Sequence, residues 1–147
     1  MKERYLGLDY GLVRIGLSLS DESLMIASPV GLLLSKKKLE DTCIDIVETV
    51  KKIEKERGCH ITAIVIGIPY YLNRSEGIMA DEVRKLSELL KEALKQTLIV
   101  IWDERLTTVQ AERMLMQSGM SRKKRSKVID SVAATIILQN YLDFKRN

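Results

Sequence analysis

A chain of 147 residues suits one domain, residues 1–147, with a real core. Hydrophobic residues make up 46% and charged residues 30%, and no apolar run approaches the roughly 20 residues that a membrane span needs, so a membrane protein is excluded from the expectation. The 24 bases against 20 acids leave a net charge of +4, too small an excess to establish nucleic-acid binding by itself.

The chain opens with an alternating segment from residue 4 to 9, Leu6 and Leu8 facing one way and Tyr5, Gly7 and Asp9 the other. This predicts a strand that ends in an acid, with Gly11 supplying the turn. Residues 14–20 alternate again, and residues 26–34 form a third extended segment whose Pro29 predicts an edge strand. Cys43, Ile46, Val47, Val50 and Ile53 then recur at helical spacing, up to Gly58. An apolar strand follows over 61–67, then Gly67-Ile68-Pro69 and a polar, aromatic loop from Tyr70 to Gly77. Met79, Val83, Leu86, Leu90 and Ala93 predict a second helix. Residues 98–102 predict a third buried strand that delivers Asp103, Glu104 and Arg105. Thr107 with Gln110 fits a capping box, so a helix is expected through Met114 and Leu115 to Gly119. A basic loop (Arg122, Lys123, Lys124, Arg125, Lys127) and a last helix from about 126 toward 144 complete the order β-β-β-α-β-α-β-α-α. That order predicts an α/β fold with a mixed five-stranded sheet and helices on both faces.

Strand 1 and the strand at 98–102 are expected to run parallel, so Asp9 and Asp103-Glu104 should emerge at the same edge, where open α/β sheets bind ligands. Asp130 shares a helix face with Ala133, Ala134, Ile137 and Tyr141. One reading leaves it at the helix surface beside Lys127. The other brings it to the sheet edge beside Asp9 and Glu104. Three carboxylates meeting there would repel one another unless a proton or a cation intervened. Mg²⁺ suits such an oxygen-rich site, and a pair of ions about 4 Å apart would serve phosphodiester cleavage. Neighbouring strand residues point oppositely, so only one of Asp103 and Glu104 should face the site. Glu104 is favoured for its longer reach, with Asp103 as the alternative. The lone His60 reads as structural. Cys43 and Cys59 make neither a disulfide framework nor a zinc site. With no secretory signal pattern at the start, they suggest a cytoplasmic protein.

Gly7-Leu8-Asp9-Tyr10-Gly11-x-x-Arg14-Ile15-Gly16, Gly67-Ile68-Pro69, Asp103-Glu104-Arg105-Leu106-Thr107-Thr108 and Ile129-Asp130-x-x-Ala133-Ala134-x-x-Ile137-Leu138 occur in order. Together with the basic segment from Ser121 to Arg125, they resemble the YqgF/RuvX family of Holliday-junction resolvases over nearly the whole chain. The resemblance implies an RNase H-like fold similar to the RuvC resolvases. It implies a Mg²⁺- or Mn²⁺-dependent nuclease with Asp9, Glu104 and Asp130 as catalytic, metal-holding carboxylates. Its substrate would be the 5′ end of pre-16S rRNA or branched DNA. One departure is Asn73-Arg74-Ser75, which lacks the glycine that this loop usually carries.

Arg14, Arg105, Arg122, Lys123, Lys124 and Arg125 are the candidate nucleic-acid contacts. Arg105 could equally clamp a carboxylate. Tyr70 and Tyr71 could stack on bases. A rival reading keeps the fold as a non-catalytic nucleic-acid-binding or ribosome-assembly factor. An aspartyl phosphatase is disfavoured because Gly11 stands where its second acid would be. A monomer suits RNA trimming and a homodimer suits a two-fold junction.

Overall fold

The computed structural model describes residues 2–68, 77–103 and 122–146, and within the last stretch it describes side chains from 132 onward. Five strands form one mixed sheet. The alternating segments become β1 (Lys2–Asp9), β2 (Arg14–Ser20) and β3 (Ala27–Leu34), an antiparallel meander. The apolar runs become β4 (Cys59–Ile68), parallel to β1, and β5 (Leu98–Asp103), parallel to β4. The order across the sheet is β3-β2-β1-β4-β5. Pro29, which cannot donate to a ladder, thus sits on an edge strand as expected.

Helix α1 (Leu39–Arg57) places Cys43, Ile46, Val50 and Ile53 on one stripe. It ends at Gly58, whose φ of 60° is the left-handed cap conformation that glycine adopts without a Cβ clash. Helix α2 (Ile78–Ala93) contributes Ala80, Val83, Leu86 and Leu90. Both helices cover the sheet face that carries Leu6, Leu8, Ile15, Leu17, Ile64, Ile66 and Ile68. Each such fully buried Leu or Ile contributes about 1.5–3 kcal/mol before chain entropy is charged against it. Helix α3 (Arg122–Arg146) covers the other face, where Ile137, Leu138, Tyr141 and Leu142 meet Val65 and Ala27. Tyr141 also packs against the rings of Tyr5 and Trp102. From Ala63 onward β4 is therefore buried on both faces, which explains the apolar run that ends it.

One expectation is corrected. Residues 122–127 form the first turns of α3, not a loop. Arg and Lys are straight-chain helix formers, and neither Gly nor Pro interrupts the segment, so a run of charge does not break the helix. The helix expected after Thr107 lies outside the described residues. His60 is structural: its Nδ1 lies 2.8 Å from Glu54 Oε2, which also accepts the Ile61 N–H at 2.9 Å. Among the described residues, no helix is long and apolar enough to cross a membrane.

Candidate functional site

Asp9 ends β1 and is half-buried. It lies two residues beyond Gly7, so both belong to the α3 side of the sheet. At Gly7, α3 comes close to the sheet. A Cβ built there would stand 2.3 Å from Ser18 Oγ, 2.8 Å from Leu138 Cβ and 3.0 Å from the Ala134 carbonyl oxygen. Any side chain would push the helix away. Ser18, opposite Gly7 in β2, is fully buried and donates its hydroxyl to that same Ala134 carbonyl at 2.8 Å. Ala133 and Ala134 are buried too, and their small side chains permit the approach.

The direction of α3 follows from its contacts. Tyr141 lies against Tyr5, whereas Ala134 and Leu138 lie against Gly7. The helix therefore runs antiparallel to β1. One helical turn back from Ala134 is a step of about 6 Å. The step from Gly7 to Asp9 along the strand is about 6.6 Å. The two steps match, which directs position 130 toward the end of β1. Gln139 ties the helix to the start of β3: its side chain accepts the Ala27 N–H at 2.9 Å and donates to the Met25 carbonyl at 2.9 Å.

The neighbours of Asp9 across the sheet are small. Gly16 is its partner in β2, and Gly67 stands one residue beyond the Leu8↔Ile66 pair in β4. Both are buried, and neither carries a side chain into the space beside the carboxylate. Asp103 pairs with Ile68, whose side chain belongs to the α1/α2 core. Trp102, one residue earlier, packs on the α3 side. Asp103 thus occupies a register position on the face opposite to Asp9.

Arg14 is half-buried at the start of β2, paired with Leu34. Glu104, Arg105, Tyr70 and Tyr71 lie outside the described residues, as do the side chains of Asp130, Arg122, Lys123, Lys124 and Arg125. Among the described residues, no three His, Cys, Asp or Glu side chains gather as a metal site. Beside Asp9, Tyr10 turns to the other core and points its hydroxyl at Glu82 Oε2, 3.5 Å away. Burial, reinforced by the Glu82 charge, pushes its phenol pKa up, so it stays protonated.

Sequence reasoning missed Ser18. Its register opposite Gly7 puts it on the Asp9 face of the β1–β2 hairpin, but its partner, the Ala134 carbonyl, is remote in sequence.

Residues 3–144 match the family described as RuvX, Holliday junction resolvase. A "Putative pre-16S rRNA nuclease" from Protochlamydia amoebophila is 49% identical over 140 residues, covering 95% of this chain and 93% of that protein. Among solved structures, the Fowlpox virus resolvase with Holliday junction DNA is similar at a TM-score of 0.63 and 10% identity, over 98% of this chain and 99% of that one. The Thermus thermophilus RuvC complex gives 0.56 and 13%, over 99% and 96%. At those identities the likeness is one of fold, and the fold is RNase H-like.

Proposed function

The chain belongs to the RuvX family of Holliday junction resolvases, and from that premise we propose that it is a nuclease hydrolysing phosphodiesters with Asp9, Glu104 and Asp130. The observation that carries this reading is the antiparallel docking of α3, whose Ala134 meets Gly7 and whose position 130 lies one turn further, toward Asp9. The strand register supports Glu104 rather than Asp103 as the third carboxylate, because Asp103 shares the row of Ile68 on the opposite face.

The donor set fits Mg²⁺ or Mn²⁺. Hard divalent ions take carboxylate oxygens and keep several waters, and Gly16 and Gly67 leave room for them beside Asp9. When bound, such ions offset charge developing on the phosphate and make an attacking water more acidic. Asp9, Glu104 and Asp130 would hold them. Ser18 and Gly7 keep α3 close enough for Asp130 to take part.

The first turn of α3 carries Arg122, Lys123, Lys124 and Arg125 and no acid. Bases at a helix N-terminus oppose the dipole. A segment that tolerates this arrangement is suited to an anion, and a nucleic-acid backbone supplies one. The preferred substrate is the 5′ end of pre-16S rRNA, in keeping with the name of the Protochlamydia relative. A four-way DNA junction is the alternative, in keeping with the family description. Cys43 and Cys59 are buried, unbridged thiols, which supports a reducing, cytoplasmic setting.

The test is cleavage of both substrates by purified protein with Mg²⁺ or Mn²⁺, alongside Asp9→Asn. Cleavage should fall by several orders of magnitude in the variant while the fold and binding persist. Full activity in folded Asp9→Asn protein overturns the assignment. A wild type that binds but cuts neither substrate makes it a binding factor.

A further inference from the structure

The two edges of the sheet are finished differently. β3 carries Pro29, which has no N–H to offer a further strand, and Gly31 at a φ of 143°, beside a register shift between Leu17 and Ser18 of β2. Prolines and bulges of this kind keep an edge from pairing. β5, at the other edge, has neither. Leu98-Ile99-Val100-Ile101-Trp102 is an uncharged run without glycine or proline. Its β-branched and aromatic residues suit a ladder. Among the described residues, no strand pairs with its outer side.

The run is also incompletely covered. β4, one strand further in, is buried from Ala63 on, whereas Leu98 is 56% exposed and Val100, Ile101 and Trp102 are half-buried. Val100 and Trp102 pack on the α3 side, and Ile99 and Ile101 on the α1/α2 side. Leu98 shares the α3 side, because it stands in one row with Ala63 and Tyr5. From α3, Phe144 packs on Trp102 with ring centres 5.2 Å apart, yet remains 62% exposed. An unguarded strand and an exposed phenyl ring thus lie together at one margin of the molecule.

We infer that β5 is the contact between two copies of this chain, joined edge to edge and antiparallel about a two-fold axis. The run is complementary to itself in that arrangement. A ladder centred on Val100 sets it against the partner's Val100, Leu98 against the partner's Trp102, and Ile99 against the partner's Ile101. All of these pairs are apolar and share a face, as cross-strand neighbours must. Asp103, the exposed acid that ends β5, falls opposite the partner's Thr97, and the two Asp103 residues stay about 20 Å apart. A parallel contact would set them side by side. A nucleic-acid strand fits this margin worse, because the run holds no Lys or Arg and ends in that acid. The two-fold also keeps both α3 faces on one side. The two Asp9 residues then lie on the same face of one continuous sheet, five strand spacings or roughly 24 Å apart across it. The inference goes beyond the nuclease reading and does not rest on it.

Sedimentation equilibrium of the full chain tests it, without nucleic acid or divalent ion, so the outcome does not depend on cleavage. Over about 1–300 μM, a range that covers a small interface of micromolar affinity, the mean mass should rise toward twice the 16.7 kDa of the chain. Val100→Lys and Val100→Glu, each alone, should keep the single-chain mass, because each sets two like charges against one another on the axis. An equimolar mixture of the two should recover the doubled mass. Leu98→Asp, at an exposed position, serves where the Val100 variants fail to fold; it should weaken association about tenfold or more by burying a carboxylate against the partner. A wild type that keeps the single-chain mass throughout overturns the proposal, and slow amide exchange over Ile99–Trp102 in that monomer would point to a cover from within the chain. A doubled mass that survives in the Leu98 and Val100 variants overturns it in favour of another interface. Folded Val100 variants whose mixture stays at the single-chain mass overturn it as well.

Discussion

Replacing Gly7 by alanine should be the most informative single change, because it acts on the joint that holds α3 to the sheet. The added methyl meets three atoms, and they cannot all yield. Ser18 Oγ, 2.3 Å away, can rotate, but it then abandons its 2.8 Å bond to the Ala134 carbonyl inside the protein. Leaving a buried hydroxyl without a partner costs about 1–3 kcal/mol. Leu138 Cβ at 2.8 Å and the Ala134 oxygen at 3.0 Å belong to the helix itself and move only if α3 moves. Overpacking of this kind costs about 1–3 kcal/mol. Against these stands roughly 0.5–1 kcal/mol gained by removing a flexible glycine from a strand. The net expectation is a loss of about 1–5 kcal/mol, read from urea unfolding at constant m-value. Cleavage should fall further than the unfolded fraction explains, because α3 carries Asp130. Adding Ser18→Ala to Gly7→Ala should recover part of the stability but not the activity, since the Leu138 contact remains. A Gly7→Ala protein as stable as wild type, within about 0.5 kcal/mol, would refute the close approach of α3 and with it the direction of position 130 toward Asp9.

Three further outcomes follow from the same geometry. Glu104→Gln should abolish cleavage while Asp103→Asn keeps most of it, and rates measured with Mn²⁺ check this; equal losses would contradict the register argument. Replacing Lys123, Lys124 and Arg125 together by alanine should raise stability by about 1–2 kcal/mol, since each base opposes the helix dipole by roughly 0.3–1 kcal/mol, yet it should weaken nucleic-acid binding and flatten its salt dependence. Asp21 closes the β2–β3 turn by accepting the N–H groups of Ile26 at 3.0 Å and Met25 at 2.8 Å, which hold its carboxyl pKa below the ordinary value. A lowered folded pKa gives stability that is present above the unfolded value near ~3.9 and is lost as pH falls through the folded one; the melting-temperature gap between wild type and Asp21→Asn should therefore be open at pH 6 and close in stronger acid, and a gap constant with pH would show that this carboxylate contributes nothing through its charge.

Much of the architecture was legible because the signals were local. Alternation in β1 separated Leu6 and Leu8 from Gly7 and Asp9, and the two cores divide along that line. Pro29 marked the edge, Gly58 the helix end, and the apolar runs the central parallel strands. The start of α3 was not legible. A charge run between Gly119 and a helical pattern reads as a loop, yet nothing in the chemistry of Arg122–Arg125 forbids a helix. Nor was the role of Ser18 visible, since its partner is 116 residues away in the sequence. A hydroxyl in a strand gives no hint of which carbonyl will meet it.

The choice between Asp103 and Glu104 shows what the sheet adds to a motif. Side by side in sequence, the two acids differ only by one methylene, and reach alone favours either weakly. The register supplies the missing parity. Leu8, Ile66 and Ile101 align across three strands on the α1/α2 face. The next row is Asp9, Gly67 and Trp102, which face α3, and the row after it is Ile68 with Asp103, facing α1/α2 again. A carboxylate on the Ile68 row would need to cross the sheet to reach Asp9. Only a break in the alternation at the end of β5 could bring Asp103 round, and the Ile68↔Asp103 pair is still within the ladder. The active-site assignment therefore rests less on the motif that contains both acids than on the apolar residues before it, whose packing fixes which face each successive position takes.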